Sequence, residues 1–341
     1  MEEPGVYAAT IESPGVVRVA QIRDPLELKS DDVVVRVMAS GICGTDVHIY
    51  RGEYLGDYPI VPGHEFAGIV EAVGPGVSRV KVGDRVAVEP NISCDNCDSC
   101  RNNLQNFCEQ WQAVGVTMSG GMAELVVAPE KVVFGVEDIP FDRAAFMEPL
   151  SCVIHGIENV GIRLGDRIAV IGTGPIGMLL IRTARAWGAG RFSVADLSEE
   201  RLAAARAEGA EVATTDISSL PSNRYDVVID ATGAPPVLQH AIRVARPGGR
   251  VLMFGVAPQG KTASIEPFQI FRKGLSLFSA YTSRRNSRQA LELIGSAKVR
   301  VDDLVSHRLP LGELEAGIKK IEDRRENAMK VMVFPNGERY N

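Results

Sequence analysis

Long apolar stretches are absent from this sequence, and so is any excess of positive charge. No apolar run approaches the ~18 residues that a membrane-spanning helix needs. The chain has 37 Lys and Arg against 43 Asp and Glu, a net charge of −6, which argues against partners such as nucleic acids and anionic membranes that require a basic surface. The N-terminal segment MEEPGVYAAT is acidic and lacks the apolar core of a secretory signal. We therefore expect a cytoplasmic protein.

Cysteine is also scarce, with six residues in 341, yet four of them lie within fifteen positions. A disulfide framework is typical of short secreted chains and does not suit a chain of this length. The spacing C-x2-C-x2-C-x7-C instead favours four thiolates around one tetrahedral zinc ion. A site of this kind has no open coordination position, so we predict a structural zinc bound by Cys94, Cys97, Cys100 and Cys108.

Glycine, by contrast, is abundant, and its distribution outlines two regions. From residue 6 to residue 90, short alternating runs are separated by Gly and Pro, as in β-rich domains. From about residue 150, apolar strands alternate with amphipathic helices, which predicts a doubly wound parallel sheet. Its strands are predicted at 166–172, 191–196, 225–232 and 249–255, and its helices at 175–187, 198–208 and 236–245. A helix at about 286–297 follows, and we expect the short strands of the tail to rejoin the first region.

The first of these strands runs directly into Gly172-Thr173-Gly174-Pro175-Ile176-Gly177, and a helix follows. In this G-x-G-x-x-G pattern the first glycine forms the turn, the second admits a pyrophosphate, and the third packs the helix on the strand. The next strand ends in Asp196, 19 residues after the last glycine, where a carboxylate binds a ribose 2′-hydroxyl and repels a 2′-phosphate. The pattern favours NAD, and Arg201 leaves NADP as the alternative because arginine can hold a 2′-phosphate.

Four further residues suit a catalytic metal: Cys43 in ASGICGTDVH, His64 and Glu65 in VPGHEFAG, and Glu148 in AAFMEPLSC. Three protein ligands and a water are typical of an open, catalytic zinc site. Each residue alone has a structural explanation, since a buried thiol packs like a small apolar group and most glutamates are solvated. Flanking Pro and Gly predict that each of the four lies in a loop, which favours the metal site. We interpret Cys152 as a core residue, although it could compete as a ligand.

These segments together resemble the zinc-dependent medium-chain dehydrogenase/reductase family over essentially the whole chain. The resemblance implies an α/β fold with a β-rich, GroES-like catalytic and zinc-binding domain at 1–150 and 290–341 and an NAD-binding Rossmann domain at 151–289. Glu148-Pro149-Leu150 resembles the polyol (sorbitol-type) and threonine dehydrogenase branch, in which a glutamate replaces a ligand cysteine. By this resemblance Cys43 and His64 are zinc ligands, and Glu65 and Glu148 share the remaining coordination, directly or through water.

The same resemblance assigns a proton path and further cofactor contacts. Thr45 matches the relay hydroxyl of the family, and His48 matches the histidine that passes the proton to solvent, a task that suits an imidazole near neutral pH. Zinc would activate the substrate hydroxyl, and the nicotinamide would accept the hydride. Cofactor contacts are expected from Pro175, Ile176, Thr232, Gly233, Phe254, Gly255, Val256, Leu277, Phe278 and Ser279.

We therefore predict an NAD-dependent zinc dehydrogenase with two zinc ions per chain, one catalytic and one structural. It would oxidise a secondary alcohol of a polyol or sugar-like substrate to a ketone. The enzyme alternatives are L-threonine 3-dehydrogenase, a simple secondary-alcohol dehydrogenase, and a lyase that uses bound NAD. A nucleotide-binding protein without activity is a further alternative, but it would be expected to have a damaged metal site. The resemblance also suggests a homo-oligomer, either a dimer or a tetramer.

The expected substrate pocket departs from that of the sorbitol enzymes. Ser279-Ala280 stands where they carry an Arg-Tyr pair, and Ile49 stands where they carry a tyrosine. A site that lacks a hydroxyl partner loses much affinity, so sorbitol itself is not favoured. A threonine substrate would need a cation near the metal. The candidates, Arg284, Arg285 and Arg288, are more simply interpreted as the polar start of a helix.

Overall fold

The computed structural model describes residues 5–23, 28–53, 57–323 and 327–338. The chain divides into two compact units, Met1–Ser151 with Arg284–Asn341, and Cys152–Ser283. The domain limits drawn from the sequence, at residues 150 and 290, remain a prediction about folding domains, and parts of the first predicted domain lie outside the described residues. Every helix among the residues described is too short or too polar to cross a lipid bilayer.

The strands and helices are numbered in chain order. The strands are β1 Gly5–Ser13, β2 Val16–Arg23, β3 Asp32–Gly41, β4 Glu65–Val73, β5 Arg85–Val88, β6 Asn91–Ile92, β7 Gln112–Ala113, β8 Leu125–Pro129, β9 Val133–Gly135, β10 Ile168–Ile171, β11 Phe192–Ala195, β12 Val212–Thr214, β13 Tyr225–Asp230, β14 Ala245–Met253, β15 Ser276–Ser279, β16 Val305–Pro310 and β17 Lys330–Phe334. The helices are α1 Gly44–Arg51, α2 Asp98–Arg101, α3 Phe141–Ala144, α4 Met147–Val160, α5 Pro175–Ala186, α6 Glu199–Ala207, α7 Pro235–Val244, α8 Pro267–Lys273, α9 Ser287–Gly295 and α10 Leu314–Glu322.

The first unit is built on a largely antiparallel sheet in the order β16-β17-β3-β4-β5-β9, with β8 paired to β3. Val33, Val35 and Val37, every second residue of β3, share one core with Val86 and Val88 of β5, as the two-residue period of a strand requires. The C-terminal strand β17 pairs with the end of β3. This pairing confirms that the tail of the chain rejoins the first region.

The second unit contains a parallel sheet in the order β12-β11-β10-β13-β14-β15. The order of the strands reverses between β10 and β13, which is the topological switch point of a doubly wound fold. The structure therefore confirms the predicted Rossmann architecture. In an open sheet of this kind, ligands bind outside the carboxyl ends of the strands, next to that reversal.

The prediction that all four candidate metal ligands lie in loops is wrong for Glu65 and Glu148. Glu65 is the first residue of β4, and Glu148 is the second residue of α4. The misleading signal was Pro149, which is tolerated here because the first turn of a helix has no hydrogen-bonding partners for its N–H groups. Cys43 is the N-cap of α1, and His64 does lie in a loop, directly before β4.

A buried ion pair in the second unit supplies a test of its stability. Arg250 Nη2 lies 2.5 Å from Asp166 Oδ2, and the guanidinium also donates to the carbonyl oxygens of Val160 and Gly161. The side chains of Arg250 and Asp166 are only 12% and 9% exposed.

We expect Arg250→Met to lower the free energy of unfolding by about 3 kcal/mol, because it leaves a buried carboxylate without its cation. Urea unfolding followed by circular dichroism measures the change. Arg191→Met is the matched control, because Arg191 pairs with Glu211 in an exposed position and such pairs contribute less than about 1 kcal/mol. Equal effects of the two substitutions would contradict the prediction.

Candidate metal centres and nucleotide site

Cys43, His64 and Glu65 form a compact group of metal donors. A sulfur, an imidazole nitrogen and a carboxylate oxygen from these residues all lie within 4.8 Å of one another. Strand pairing brings them together, since Gly41 at the end of β3 is opposite Glu65 at the start of β4. Gly41 is also required sterically, because a Cβ atom at this position would lie 2.4 Å from Glu65 Oε2.

The buried carboxylate of Asp46, which was not among the predicted site residues, binds both segments that carry Cys43 and His64. Asp46 Oδ2 accepts a hydrogen bond from the Cys43 N–H at 2.7 Å, and Oδ1 accepts one from the Gly63 N–H at 3.3 Å. Oδ1 also lies 3.5 Å from His64 Nδ1, which leaves Nε2 available as a metal ligand. The signal in the sequence was an acid three residues after the N-cap of a short helix, the pattern of a capping box.

Burial and charge act in opposite directions on His64. Burial lowers the pKa of this imidazole, but the Asp46 carboxylate and the Cys43 sulfur outweigh it and raise the pKa well above its ordinary value. The same negative charges that favour a proton on this imidazole would also favour a divalent cation bound to the ring, because the cation would bring positive charge to the same buried position in place of the proton.

Lys330, the first residue of β17, supplies a second buried charge that the sequence did not reveal. Its Nζ lies 2.5 Å from Glu65 Oε2 and donates to the Ile42 carbonyl oxygen, and only 3% of the residue is exposed. Burial lowers the pKa of Lys330, but Glu65, Cys43 and Glu148 raise it above its ordinary value. Lysine at the start of a strand is common, and only the pairing of β17 with β3 shows that this side chain reaches the donor group.

The donor group fits a zinc ion. Glu65 Oε1 is buried and has no hydrogen-bond partner among the residues that the structure describes, whereas Oε2 accepts from Lys330. A buried carboxylate oxygen is costly to leave unpaired, and coordination to a cation would satisfy it. Three protein ligands drawn from sulfur, nitrogen and oxygen donors are typical of a catalytic zinc site, in which the fourth position is open.

Glu148 and Cys152 lie on α4 and do not belong to this donor group. The Glu148 carboxylate is buried and close enough to raise the pKa of Lys330, but it is outside the set of atoms within 4.8 Å of one another. Its role as a ligand remains a prediction. Cys152 is half-buried, so it is less enclosed than the core position we expected.

The two residues of the expected proton path both lie on α1. Thr45 is half-buried, and its hydroxyl oxygen lies 3.8 Å from Cys43 Sγ. His48 lies one turn further along the helix, with 31% of its side chain exposed, and its Nδ1 is 2.8 Å from Glu53 Oε2. Of these two residues, Thr45 lies beside the donor group and His48 is accessible to solvent, and the path between them remains a prediction.

The four clustered cysteines have the geometry of a tetrahedral metal site. Their sulfur atoms all lie within 4.8 Å of one another, and the Cys94–Cys100 and Cys97–Cys108 pairs are each 4.0 Å apart. Zn–S bonds of about 2.3 Å place the sulfurs of a tetrahedron about 3.8 Å apart. The cluster therefore fits zinc with little adjustment.

Backbone N–H groups prepare part of this cluster for the thiolate form. The N–H groups of Asn96 and Cys97 donate to Cys94 Sγ and lower the pKa of this thiol to about 6. Burial, together with hydrogen bonds to the neighbouring sulfurs, raises the pKa of Cys100 to about 12. One thiol is thus ready to bind, whereas another requires the metal to displace its proton.

Ion pairs fix the four-cysteine segment to other parts of the first unit. Asp95 binds Lys131 at 3.3 Å and Arg285 at 2.8 Å. Arg285 was a candidate cation for a substrate carboxylate, and the structure places it on the cysteine segment instead. Arg288 lies exposed on α9, so the polar start of this helix agrees with the simpler interpretation.

The glycine-rich turn follows β10, as predicted, at the carboxyl edge of the parallel sheet. Gly172 has a φ of +92°, and a Cβ atom on Gly177 would lie 1.9 Å from the Gly172 carbonyl oxygen, so neither position tolerates a side chain. Gly174 is different, since a Cβ atom there would make an ordinary van der Waals contact with Arg201 Nη1 at 3.6 Å. Gly174 is the N-cap of α5 and Pro175 is its first residue, so the helix N-terminus can receive a phosphate.

Asp196 has a role in the turn itself. Its Oδ2 accepts from the Thr173 N–H at 2.6 Å and from the Thr173 hydroxyl at 3.1 Å, and Oδ1 accepts from the Ser198 N–H at 2.9 Å. Ser198 caps α6 by accepting a hydrogen bond from the Arg201 N–H. Asp196 therefore fixes the turn and still has lone pairs on Oδ1 for a ribose hydroxyl.

The remaining predicted cofactor residues lie at the same edge. Gly233 and Gly255 allow the loops after β13 and β14 to touch, because a Cβ atom on either would lie within 2.3 Å of backbone atoms in the other loop. Asp230, a buried carboxylate whose pKa is raised by burial, accepts from the N–H and hydroxyl of Thr232 and shapes the first of these loops. The others are half-buried Ile176, Phe254, Leu277 and Phe278, with Val256 and Ser279 exposed.

Lys330→Met supplies a test of the buried charge balance in metal-free protein. We expect a loss of about 3–5 kcal/mol in the free energy of unfolding, because Glu65 and Cys43 lose their buried cation. Since the pKa of Lys330 is raised in the folded state, the contribution of this pair is fully present below the ordinary lysine pKa and is lost as the pH rises from there through the raised value. Unfolding by urea with a chelator present, repeated across this pH range, measures the effect.

The control for this prediction is Lys319→Met. Lys319 pairs with Glu315 on the exposed face of α10, where such pairs contribute less than about 1 kcal/mol. A Lys330→Met protein as stable as the Lys319→Met protein would show that Glu65 does not need the ammonium group.

Two family models match the chain. The alcohol dehydrogenase GroES-like domain matches residues 29–138, and the zinc-binding dehydrogenase model matches residues 175–296. The D-altritol 5-dehydrogenase of Agrobacterium fabrum is 39% identical over 295 residues, which cover 84% of this chain and 88% of that protein. The sorbitol dehydrogenase of Bacillus subtilis is 30% identical and covers 96% of this chain and 97% of its own length.

Among solved structures, a protein described as a zinc-binding dehydrogenase from Sinorhizobium meliloti, bound to NADP, superimposes with a TM-score of 0.92 at 33% identity. The superposition covers 97% of this chain and 100% of that one. Sequence and structure thus agree over nearly the full length. This chain belongs to the zinc-binding alcohol dehydrogenase family, and it is an oxidoreductase with a GroES-like domain and a Rossmann domain.

Proposed function

We propose that this enzyme is a zinc dehydrogenase that oxidises a secondary alcohol of a polyol or sugar-like substrate to a ketone, with NAD as the acceptor. The observation that carries the proposal is the group formed by half-buried Cys43 with buried His64 and Glu65, in which Glu65 Oε1 lacks a hydrogen-bond partner among the residues that the structure describes. When bound, zinc polarises a substrate hydroxyl, and the nicotinamide ring accepts the hydride. The protein supplies the binding, the orientation and a path for the proton.

Different residues of the chain would bind the metal and transfer the proton. Cys43, His64 and Glu65 would hold the metal and leave one position for the substrate, while Asp46 orients the first two. Thr45 would take the hydroxyl proton and pass it toward His48, which solvent reaches. Glu148, buried near Lys330, would come into reach of the metal through a water or through a small shift of α4.

Two relatives support the substrate class. One is named for D-altritol and the other for sorbitol, both of which are linear polyols. The threonine alternative is weakened because Arg285, one of its candidate cations, is bound to Asp95. Ile49, which stands where the sorbitol enzymes carry a tyrosine, is completely buried in the core and offers no hydroxyl group to a substrate. The groups that bind the substrate hydroxyls would therefore come from other residues.

We infer that each chain binds two zinc ions. The four-cysteine cluster would hold a structural ion, and its sulfur spacing of 4.0 Å supports this. The expected dimer or tetramer remains a prediction, as does a cytoplasmic location.

Elemental analysis combined with turnover tests the two metal roles. Wild-type protein should contain two zinc ions per chain and reduce NAD with members of a panel of polyols, aldoses, threonine and short alcohols. Cys43→Ser should lose one ion and at least about a hundredfold of kcat, because the substrate loses its Lewis acid. Cys97→Ser should lose the other ion and mainly lower the melting temperature, because a closed zinc site contributes to folding.

Cys152→Ser is the matched control, since this half-buried thiol belongs to neither donor group, and it should keep both ions and its turnover. Retained turnover in Cys43→Ser would refute the metal-dependent reaction. If threonine were oxidised and no polyol or sugar were, the enzyme would instead be an L-threonine 3-dehydrogenase.

The choice between NAD and NADP depends on Asp196 and Arg201. We propose NAD, because the Asp196 carboxylate would repel a 2′-phosphate, whereas the Sinorhizobium relative is bound to NADP. Asp196→Ala would also release the turn at Thr173, so a raised KM alone would be ambiguous.

The informative measurement is the ratio of kcat/KM for NAD to that for NADP. Asp196→Asn, which keeps a hydrogen-bond acceptor, should lower this ratio at least about tenfold by removing the repulsion. Arg201→Ala should raise it, because a cation beside Gly174 is lost. If neither substitution changed the ratio, these residues would not contact the adenosine ribose.

A further inference from the structure

The turn after α1 places a carboxylate on the histidine of the proposed proton path. Helix α1 ends at Gly52, which has a left-handed φ of 75°. A side chain is excluded here, because a Cβ atom would lie 2.8 Å from Pro14. The reversal directs the Glu53 N–H back to the His48 carbonyl oxygen at 2.9 Å. Backbone geometry therefore returns Glu53 to the histidine one turn behind it.

The side chains of these two residues then meet. Glu53 Oε2 lies 2.8 Å from His48 Nδ1, and the other carboxylate oxygen lies 3.9 Å from Arg51 Nη1. An ionised carboxylate can only accept hydrogen bonds. A neutral His48 that keeps this contact must therefore carry its proton on Nδ1, and the lone pair is on Nε2.

We propose that Glu53 is a positioning residue that fixes the tautomer and the ring orientation of His48, so that Nε2 receives the proton that leaves the substrate. The inference rests on the proposed function, in which His48 ends the proton path. A histidine with no such partner exchanges between tautomers and ring orientations, and only part of the population would offer Nε2 as a base. Glu53 would act on the reaction only through its contact with His48.

The variants are Glu53→Ala and a matched Glu322→Ala. Glu322, at the end of α10, is a suitable control because its carboxylate binds Arg51 of α1, with 2.6 Å between Arg51 Nε and Glu322 Oε1. This carboxylate pairs with the arginine rather than with His48. Glu53 is 45% exposed, so its loss should not affect folding. Both substitutions remove one acid near Arg51, and only Glu53→Ala removes the acceptor on Nδ1.

A spectroscopic measurement reads the tautomer without any turnover. Long-range proton–nitrogen spectra of protein labelled with ¹⁵N-histidine distinguish Nδ1–H from Nε2–H rings, and with five histidines in the chain the His48 signals can be assigned from a His48→Asn variant. At a pH where His48 is neutral, we expect Nδ1–H in the wild-type and Glu322→Ala proteins and a shift toward Nε2–H in Glu53→Ala. An unchanged His48 ring in Glu53→Ala would overturn the proposal.

Kinetics supply the second readout. Glu53→Ala should lower kcat for alcohol oxidation about tenfold with little change in KM, and added imidazole should restore most of the loss by replacing the misplaced base. Glu322→Ala should stay within about twofold of the wild-type rate, since its contact is an exposed ion pair. A loss that imidazole does not restore, or an equal loss in Glu322→Ala, would contradict the positioning role.

The two proposals fail in different ways. A wild-type protein that oxidises no alcohol in the panel would refute the proposed function, and the tautomer would still be tested by the spectra. An active enzyme whose rate and His48 spectrum do not respond to Glu53→Ala would refute the positioning role alone.

Discussion

The donor group in the first unit depends on one buried ion pair, that between Lys330 and Glu65. The carboxylates of Asp46, Glu65 and Glu148 are buried near half-buried Cys43, and negative charges in such a position are costly to bury without compensation. The ammonium group of Lys330 supplies a fixed positive charge on one side of Glu65. The second oxygen of Glu65 is left unpaired, which makes it a natural ligand for a divalent cation.

Both units place their functional residues at the ends of strands. Gly41, Glu65 and Lys330 lie at adjacent strand ends in the first sheet, so pairing alone sets which side chains meet. In the second unit, the turn after β10 and Asp196 after β11 lie at the carboxyl edge of the parallel sheet. The rigid part of each sheet thus fixes the position of groups on short, irregular segments, where the backbone is free to bind.

Local patterns in the sequence predicted much of this arrangement. The alternation of strands and helices predicted the parallel sheet. The spacing of the cysteines predicted a cluster, and the four sulfur atoms do lie close together in the structure. Lys330 was not predicted because its contact with Glu65 depends on pairing between segments that are far apart in the chain. Glu148 was placed in a loop because Pro149 resembles a helix breaker, although a proline in the first helical turn costs little. Asp46 was overlooked among ordinary surface acids, yet its capping position was a usable signal.

Gly41 shows how closely this centre is tied to its backbone. The absence of a side chain there leaves just enough room for the Glu65 carboxylate beside the ammonium group of Lys330. A single methyl group at position 41 would lie 2.4 Å from Glu65 Oε2, so this carboxylate would have to shift relative to its counterion. An enzyme engineer therefore has, in one main-chain position outside the proposed ligand set, a means of altering how the Glu65 carboxylate is shared between the Lys330 ammonium group and a metal ion.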